Sequence, residues 1–121
     1  MPEDPVSHHE LCFGCGQANL FGLQLELSRA ADGVEGRFFV KQDHQGAPGS
    51  AHAGVLTAAL EEALAVAAGR RPDRLEVELV APAPVGTFVR VRAAASSATA
   101  SDEEGQVLAR AVGTFASLLD N

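Results

Sequence analysis

Apolar and polar residues alternate along several short segments of the chain. From Leu23 the leucines fall on one face of an extended segment and polar residues fall on the other, which indicates a half-buried strand. The residues Ala31-Asp-Gly33 predict a hairpin turn directly after it. The small and acidic residues of Ser96–Gly105 predict a second turn near the end of the chain. Strands are predicted over 23–28, Val34–Val40, Leu75–Val80, Phe88–Ala94 and Gln106–Leu118.

One long helix is predicted over Val55–Ala68, a segment rich in Ala and Leu and free of Gly and Pro. It is apolar nearly all round, so we expect it to be buried on most sides and to end at Gly69. The predicted order is ββαβββ within a single domain of residues 1–121, of which residues 1–11 form an irregular lead-in. This is an α+β layout in which a curved antiparallel sheet wraps around a central helix. A small sheet leaves edge strands that pairing across a two-fold axis would protect, so we expect a homodimer or a larger assembly.

The composition narrows the range of partners. The chain of 121 residues has 9 Lys+Arg against 16 Asp+Glu, a net charge of −7, and it has no Trp or Tyr. An acidic chain without these stacking side chains is unsuited to nucleic acid. Its apolar stretches fall short of the ~20 residues that span a membrane, and its first residues lack the features of a signal peptide. We therefore expect a cytoplasmic protein, in which the two cysteines are free thiols or metal ligands rather than a disulfide.

The most informative polar residues lie between His44 and Glu62. A Gly-rich loop leads there into the first turn of the predicted helix, at His52, Ala53 and Gly54. Free N–H groups at the start of a helix can receive a developing oxyanion. The alternative for His52 is a capping or packing role.

Glu61 and Glu62 are the only charged residues of the predicted helix. Desolvation on an apolar helix would raise the pKa of Glu61 and suit it to act as a base or nucleophile, whereas a thin solvent-facing stripe would leave it an ordinary surface residue. Both interpretations stay open from physics alone. Glu62 points about 100° away around the helix and is predicted to face solvent. His44 and Gln45 are most simply polar loop residues.

Cys12-x-x-Cys15-Gly resembles half of a zinc knuckle, and His8 and His9 stand just upstream. A closed zinc site needs four ligands, the chain has no second CxxC, and two adjacent histidines are an atypical spacing. A redox pair would be expected beside a βαβ unit, which the pattern lacks. Metal binding, redox chemistry and a structural turn remain the alternatives, of which the turn is the simplest, so no metal ligand is assigned.

Taken together, three stretches resemble the hotdog-fold acyl-CoA thioesterases of the phenylacetate-degradation type. The first is similar to the CFGCG-x-x-N-P-x-G-L-x-L opening of one bacterial branch, the second to its HQG-x-PG-x-x-HGG loop and helix, and the third to its P-x-P-x-G turn and closing G-T-F strand. These stretches are Cys12–Leu25, His44–Glu62, and Pro82–Gly86 with Gly113–Phe115.

The resemblance implies a hotdog fold and a mechanism. Glu61, nine residues after His52, would act as general base or nucleophile on the thioester carbonyl. The N–H of Ala53, next to Gly54, would bind the thioester oxygen, and His52 would orient the loop or the substrate. Gln45 is the nearest match to the polar residue that assists from the upstream loop. The active site would form across the interface of a homodimer or homotetramer.

Two residues depart from the family pattern. Ala53 replaces the first glycine of His-Gly-Gly, which adds a Cβ where substrate approaches and would cost about 1 kcal/mol if φ were strained. Glu61 replaces the usual aspartate.

The expected function is therefore hydrolysis of a small or medium acyl- or aryl-acyl-CoA thioester, with no metal or redox cofactor. The substrate's phosphates need local cations, for which Arg70, Arg71 and Arg74 are the candidates, followed by Arg90 and Arg92. One alternative is a hotdog protein that binds acyl-CoA or a similar ligand without turnover. Another is a zinc-bearing interaction module built on the two cysteines.

Overall fold

The computed structural model describes residues 6–116, in which one helix packs against a six-stranded antiparallel sheet. The sheet order is β1-β2-β4-β5-β6-β3, so β1 and β3 form its two edges. The elements in chain order are β1 (Glu26–Ala30), β2 (Gly33–Phe39), a short 3-10 turn (Gln42–His44), α1 (Ala53–Ala68), β3 (Arg74–Leu79), β4 (Phe88–Ala94), β5 (Ser97–Ser101) and β6 (Val107–Thr114).

The alternation of the strands divides the sheet into a core face and a solvent face. In β4 the side chains of Val89, Val91 and Ala93 are buried, while Arg90 and Arg92 are exposed, as the alternation predicts. β1 and β2 form the predicted hairpin, in which Ala30 pairs with Gly33. Their buried residues join the same core. This face receives the helix.

Helix α1 is buried along most of its length, as its apolar composition predicts. It contacts β4, β5 and β6 most extensively, and Leu60 and Leu64 are completely buried. Several positions facing the sheet are alanines, among them Ala59 and Ala63, which let the helix backbone approach closely. Gly69 ends the helix in the left-handed region, with φ 77°, as expected for a glycine after the last turn.

The segment Ser96–Gly105, predicted as a turn, contains the strand β5. The order is therefore ββαββββ, with six strands where five are predicted. β5 has the sequence Ser-Ala-Thr-Ala-Ser, in which Ala98 and Ala100 are buried between polar neighbours. The period of two is present, but alanine is too weakly hydrophobic to reveal it. The predicted last strand also ends earlier, at Thr114, and its final two predicted residues lie outside the described part of the chain.

The segment before β1, predicted as part of the first strand, pairs with the preceding loop instead of the sheet. Leu23 and Leu25 are buried as the alternation predicts, and their N–H groups donate to the carbonyls of Phe13 and Gly14. Between them Gln24 has φ 51°, which interrupts the strand geometry. β1 therefore begins at Glu26, and the cysteine-containing segment is attached to the fold through this pairing.

The central helix should dominate the stability of the fold. Replacing Leu60 with alanine leaves a cavity in the core, so we expect the free energy of unfolding to fall by about 2–5 kcal/mol. Urea denaturation followed by circular dichroism measures this change. Leu20→Ala, at a position 72% exposed, is the control and should stay within about 0.5 kcal/mol of the wild type. Equal losses in the two variants would contradict this core assignment.

Candidate active site and the glutamate pair

The loop before α1 is held by His44, which is buried instead of solvated. His44 lies in the connection between β2 and α1, as its interpretation as a polar loop residue predicts, but that interpretation does not predict its burial. The Lys41 N–H donates to His44 Nδ1 (3.1 Å), and Nε2 lies 3.3 Å from the Gly22 carbonyl. These partners fit a neutral ring with the proton on Nε2, and the ring packs edge-on against Phe38. Burial lowers the pKa of His44, outweighing the opposing effect of the Gly22 carbonyl.

Gln45 is exposed and stabilises the same loop. Its Oε1 accepts a hydrogen bond of 2.6 Å from the Gly49 N–H, across a turn that Gly49 passes with φ 86°. Gln45 thus sets the shape of the loop just upstream of the helix.

His52 caps the N-terminus of α1. Its backbone is extended and its Nδ1 accepts the Gly54 N–H (2.8 Å), while the Val55 N–H donates to the His52 carbonyl. The capping alternative for His52 is therefore the geometry observed. The remaining free donor of this turn is the Ala53 N–H, which has no acceptor among residues 6–116. Ala53 does not have a positive φ, so its Cβ introduces no backbone strain.

A shallow groove of about 270 Å³ runs past Ala53. Its wall on the sheet side is apolar and open to solvent, with Leu79 and Val80 54% and 47% exposed. The groove is lined by Ala51, Ala53, Leu56, Leu79, Val80, Ala81 and Pro82. An acyl chain or aryl ring is the kind of group that fits such a surface.

Glu61 lies on the partly exposed side of α1, with its side chain 28% exposed. Arg71 Nη1 donates to Glu61 Oε1 (2.7 Å). Ala53 and Glu61 are eight residues apart, which places them about 12 Å apart along the helix axis. One thioester carbonyl therefore cannot contact the Ala53 N–H and the Glu61 carboxylate of the same chain.

Glu62, predicted to face solvent, is instead buried with only 2% of its surface exposed. Arg71 Nη1 also donates to Glu62 Oε1 (3.1 Å), so one guanidinium holds both glutamates. The other oxygen, Oε2, faces His8 and Cys12 of the N-terminal segment. The sequence pattern missed this contact because it depends on a segment far away along the chain folding over the helix.

The electrostatics of Glu62 follow from these contacts. Burial is the largest effect and opposes ionisation, but the hydrogen bonds from Cys15 and Arg71 and the charges of Arg71 and His8 outweigh it, so the pKa of Glu62 is lowered. Burial of Arg71 is likewise outweighed by its two carboxylate partners, which raise its pKa. Burial, followed by the hydrogen bond with Glu62, raises the pKa of the Cys15 thiol to about 11.

The three arginines predicted to contact CoA phosphates differ in their surroundings. Arg71 holds the glutamate pair, and Arg70 donates to the Ala116 carbonyl (2.6 Å) and to Asp73 (3.2 Å). Arg74 is exposed at the start of β3. Arg90 and Arg92 lie on the solvent face of the sheet, away from α1, beside a depression of about 480 Å³.

Solved structures share this fold. Protein RHA08564, a thioesterase superfamily protein, matches with a TM-score of 0.78 at 21% identity over 89% of this chain, which spans 61% of that protein's length. The E. coli PaaI protein from the phenylacetic acid degradation operon matches with a TM-score of 0.66 at 17% identity, over 82% of this chain and 84% of that one. The TT0310 protein from Thermus thermophilus matches with a TM-score of 0.63 at 23% identity, over 75% of this chain and 89% of that one.

No protein-family model matches the chain, and no curated protein matches it in sequence. The chain has the hotdog fold, an antiparallel sheet packed on one central helix, and the predicted likeness to thioesterases of the PaaI type is confirmed at the level of structure. Among residues 6–116 there is no helix both long and apolar enough to cross a membrane.

The buried neutral ring of His44 should make stability depend on pH. Because the folded state lowers the pKa of His44, the unfolded chain takes up the proton first as the pH falls, and stability is lost. We expect the free energy of unfolding to fall between about pH 7.5 and about pH 5.5, and to fall less steeply in His44→Gln. Urea titrations at several pH values measure the difference, because all other titrating groups are common to both proteins. Equal slopes would contradict this role of His44.

Proposed function

We propose that the protein hydrolyses a small or medium acyl- or aryl-acyl-CoA thioester to the free acid and CoA. The observation that carries the proposal is the arrangement of α1. The helix begins beside an apolar groove with the Ala53 N–H, which has no acceptor among residues 6–116, and it carries an Arg71-bound carboxylate at Glu61. The structural likeness to thioesterase superfamily proteins supports the same reaction class. We also propose a cytoplasmic location and a reaction that needs no cofactor.

The two groups would meet across a dimer interface. They are about 12 Å apart on one helix, so a second chain must bring its Glu61 to the Ala53 N–H of the first. Gly54, Thr57, Ala58 and Glu61 share one side of the helix at spacings of three and four residues, and this side is not fully covered. Edge strand β3 also carries the exposed Leu79, which pairing with a second copy would cover. We therefore propose a homodimer or homotetramer as the working unit.

In this site the thioester oxygen would accept the Ala53 N–H at the positive end of the helix dipole. Glu61 would remove a proton from a water molecule while that water attacks the carbonyl carbon. The tetrahedral intermediate would then collapse by breaking the C–S bond, and the CoA thiolate would leave with a proton. In the alternative, the Glu61 carboxylate attacks the carbonyl carbon and the C–S bond breaks, so that the CoA thiolate leaves and an anhydride remains; water then cleaves the anhydride to the free acid and restores the Glu61 carboxylate.

The surrounding residues have supporting roles. Arg71 would hold the Glu61 carboxylate in one orientation. His52 would fix the first turn of α1 by accepting the Gly54 N–H, and this would leave the Ala53 N–H available to the substrate. Gln45 would shape the loop beside them. Arg74 is the best placed of the three arginines to contact a CoA phosphate, because Arg70 and Arg71 already donate to groups of the protein.

Replacing Glu61 with glutamine should abolish the reaction while the chain stays folded. We expect thiol release from acyl- and aryl-acyl-CoA substrates to fall at least about 100-fold, because the amide can neither accept the proton nor attack. The assay follows free CoA with a thiol reagent, and circular dichroism checks folding. Glu104→Gln, an exposed substitution in the β5–β6 turn, serves as the control and should retain activity. Full activity of Glu61→Gln would refute the assignment.

The Ala53 N–H can be removed with little disturbance of the helix. Ala53 is the first residue of α1, where proline is well tolerated, and His52 before it is already extended with ψ 143°. We expect Ala53→Pro to lower kcat by about 100- to 1000-fold at unchanged thermal stability. Ala53→Gly keeps the N–H and should remain active.

Mixing these two variants would test the shared site. In a mixed dimer of Glu61→Gln and Ala53→Pro, one site carries both defects and the other is intact if each site uses both chains. Co-expression should then recover activity that neither variant has alone. Activity no higher than that of the separate variants would place the whole site in one chain.

The alternative function is binding of acyl-CoA without turnover, which is motivated by the methyl group of Ala53 in the groove. Under this alternative, acyl-CoA raises the melting temperature but no member of a panel of chain lengths and aryl groups releases thiol. Rapid release excludes it.

A further inference from the structure

Four potential metal ligands meet at the point where the N-terminal segment crosses α1. They are the side chains of His8, Cys12, Cys15 and Glu62, and one ligand atom of each lies within 4.8 Å of all the others. Both cysteines and Glu62 are buried, while His8 is at the surface. Sequence reasoning stopped short of a site here because it counted only the cysteines and histidines of one segment, and the fourth ligand comes from the helix.

The distances suit a tetrahedral zinc ion. Zinc bonds of about 2.3 Å to sulfur and 2.0–2.1 Å to nitrogen or oxygen imply ligand separations of roughly 3.3–3.8 Å. His8 Nδ1 lies 3.4 Å from Cys15 Sγ and 3.9 Å from Cys12 Sγ, and Cys12 Sγ lies 3.4 Å from Glu62 Oε2. His8 Nδ1 and Glu62 Oε2 are 2.5 Å apart, so an ion between them would separate this pair by about 0.8 Å.

The backbone around the cysteines is shaped for this approach. The Gly16 N–H donates to the Cys12 carbonyl (2.8 Å), which closes a tight turn around the Cys-x-x-Cys pair. A Cβ at Gly14 would lie 2.5–2.6 Å from the Glu62 carboxyl group, and a Cβ at Gly16 would collide with the backbone of Cys12 and Glu10. The two glycines therefore let the turn sit directly on the glutamate.

The groups behind the ligands also fit a bound cation. The His8 N–H lies 3.2 Å from Cys15 Sγ, where it stabilises a thiolate. Arg71 occupies Glu62 Oε1 and leaves Oε2 turned toward the cluster. Two thiolates and the Glu62 carboxylate carry three negative charges, against which a divalent ion and the Arg71 guanidinium supply three positive ones, although Arg71 is shared with the partly exposed Glu61.

We propose that His8, Cys12, Cys15 and Glu62 bind one Zn²⁺ in a closed, structural site. Four protein ligands leave no position for water or substrate, so the ion joins the N-terminal segment to the central helix and takes no part in chemistry. Glu62 is adjacent to Glu61, and Arg71 contacts both. By holding Glu62, the ion therefore also helps to fix the position of Glu61, the proposed general base. The metal site stands independently of the thioesterase proposal.

The first test uses the wild-type chain, purified without a polyhistidine tag or chelator. Elemental analysis should find about one zinc per chain, and X-ray absorption should show two sulfur neighbours near 2.3 Å with two nitrogen or oxygen neighbours near 2.0 Å. After zinc is exchanged for Co²⁺, a thiolate-to-cobalt charge-transfer band and tetrahedral visible bands should appear. Less than about a tenth of an equivalent of zinc, together with no cobalt bands, would overturn the proposal.

Matched variants identify the ligands. Glu62→Gln and His8→Gln should lose zinc, whereas their sequence neighbours Glu61→Gln and His9→Gln should keep it, because neither neighbour belongs to the cluster. Unfolding of Glu62→Gln would also release the ion. Cobalt titration of the folded wild type in the presence of a weak chelator therefore measures metal binding in a way that does not depend on how the variant folds. Zinc retained at the wild-type level in Glu62→Gln would refute the fourth ligand.

Discussion

The burial of one almost entirely apolar helix is the constraint on which the rest of the structure depends. Leu60 and Leu64 must be removed from water on nearly every side, and a flat sheet covers only one side of a cylinder. The six strands supply most of the cover, and the small residues Ala98 and Ala100 of β5 let the sheet come close. The sheet leaves part of the surface of α1 uncovered. The segment carrying Cys12 covers one part, and the side that carries Glu61 stays partly exposed.

Much of this fold follows from the sequence because its signals are local. The period-two pattern locates the strands with strong apolar residues, and the absence of Gly and Pro locates the helix up to Gly69. The pattern misses β5 because the buried residues of that strand are alanines, whose burial contributes little to any hydrophobic pattern. It misses the break in the strand at Gln24, where φ is positive, because the neighbours of Gln24 pair with the cysteine-containing segment and this contact does not show in a local pattern.

The candidate site likewise has features that the local sequence predicts and features that depend on distant parts of the chain. His52 as a cap and Ala53 at the start of the helix are readable from position alone, since a helix start is a local event. The opposite environments of Glu61 and Glu62 are not, because position on a helix gives only an angle and leaves unknown what occupies the space in that direction. Here that space holds a turn made tight by Gly14 and Gly16. Arg71, placed after the helix end, then links the buried carboxylate to the partly exposed one.

The bare backbone at Gly14 has a consequence for the whole group of chains built this way. A Cβ at that position would lie 2.5–2.6 Å from the Glu62 side chain, so a side chain there would force the glutamate out of its present position. Substitution at either place therefore releases the other, and the two should change together during evolution, along with the histidine and cysteines that share the cluster. A chain with a side chain at the glycine position is expected to carry a small or apolar residue on its helix, and its N-terminal segment would then rest on hydrophobic packing alone.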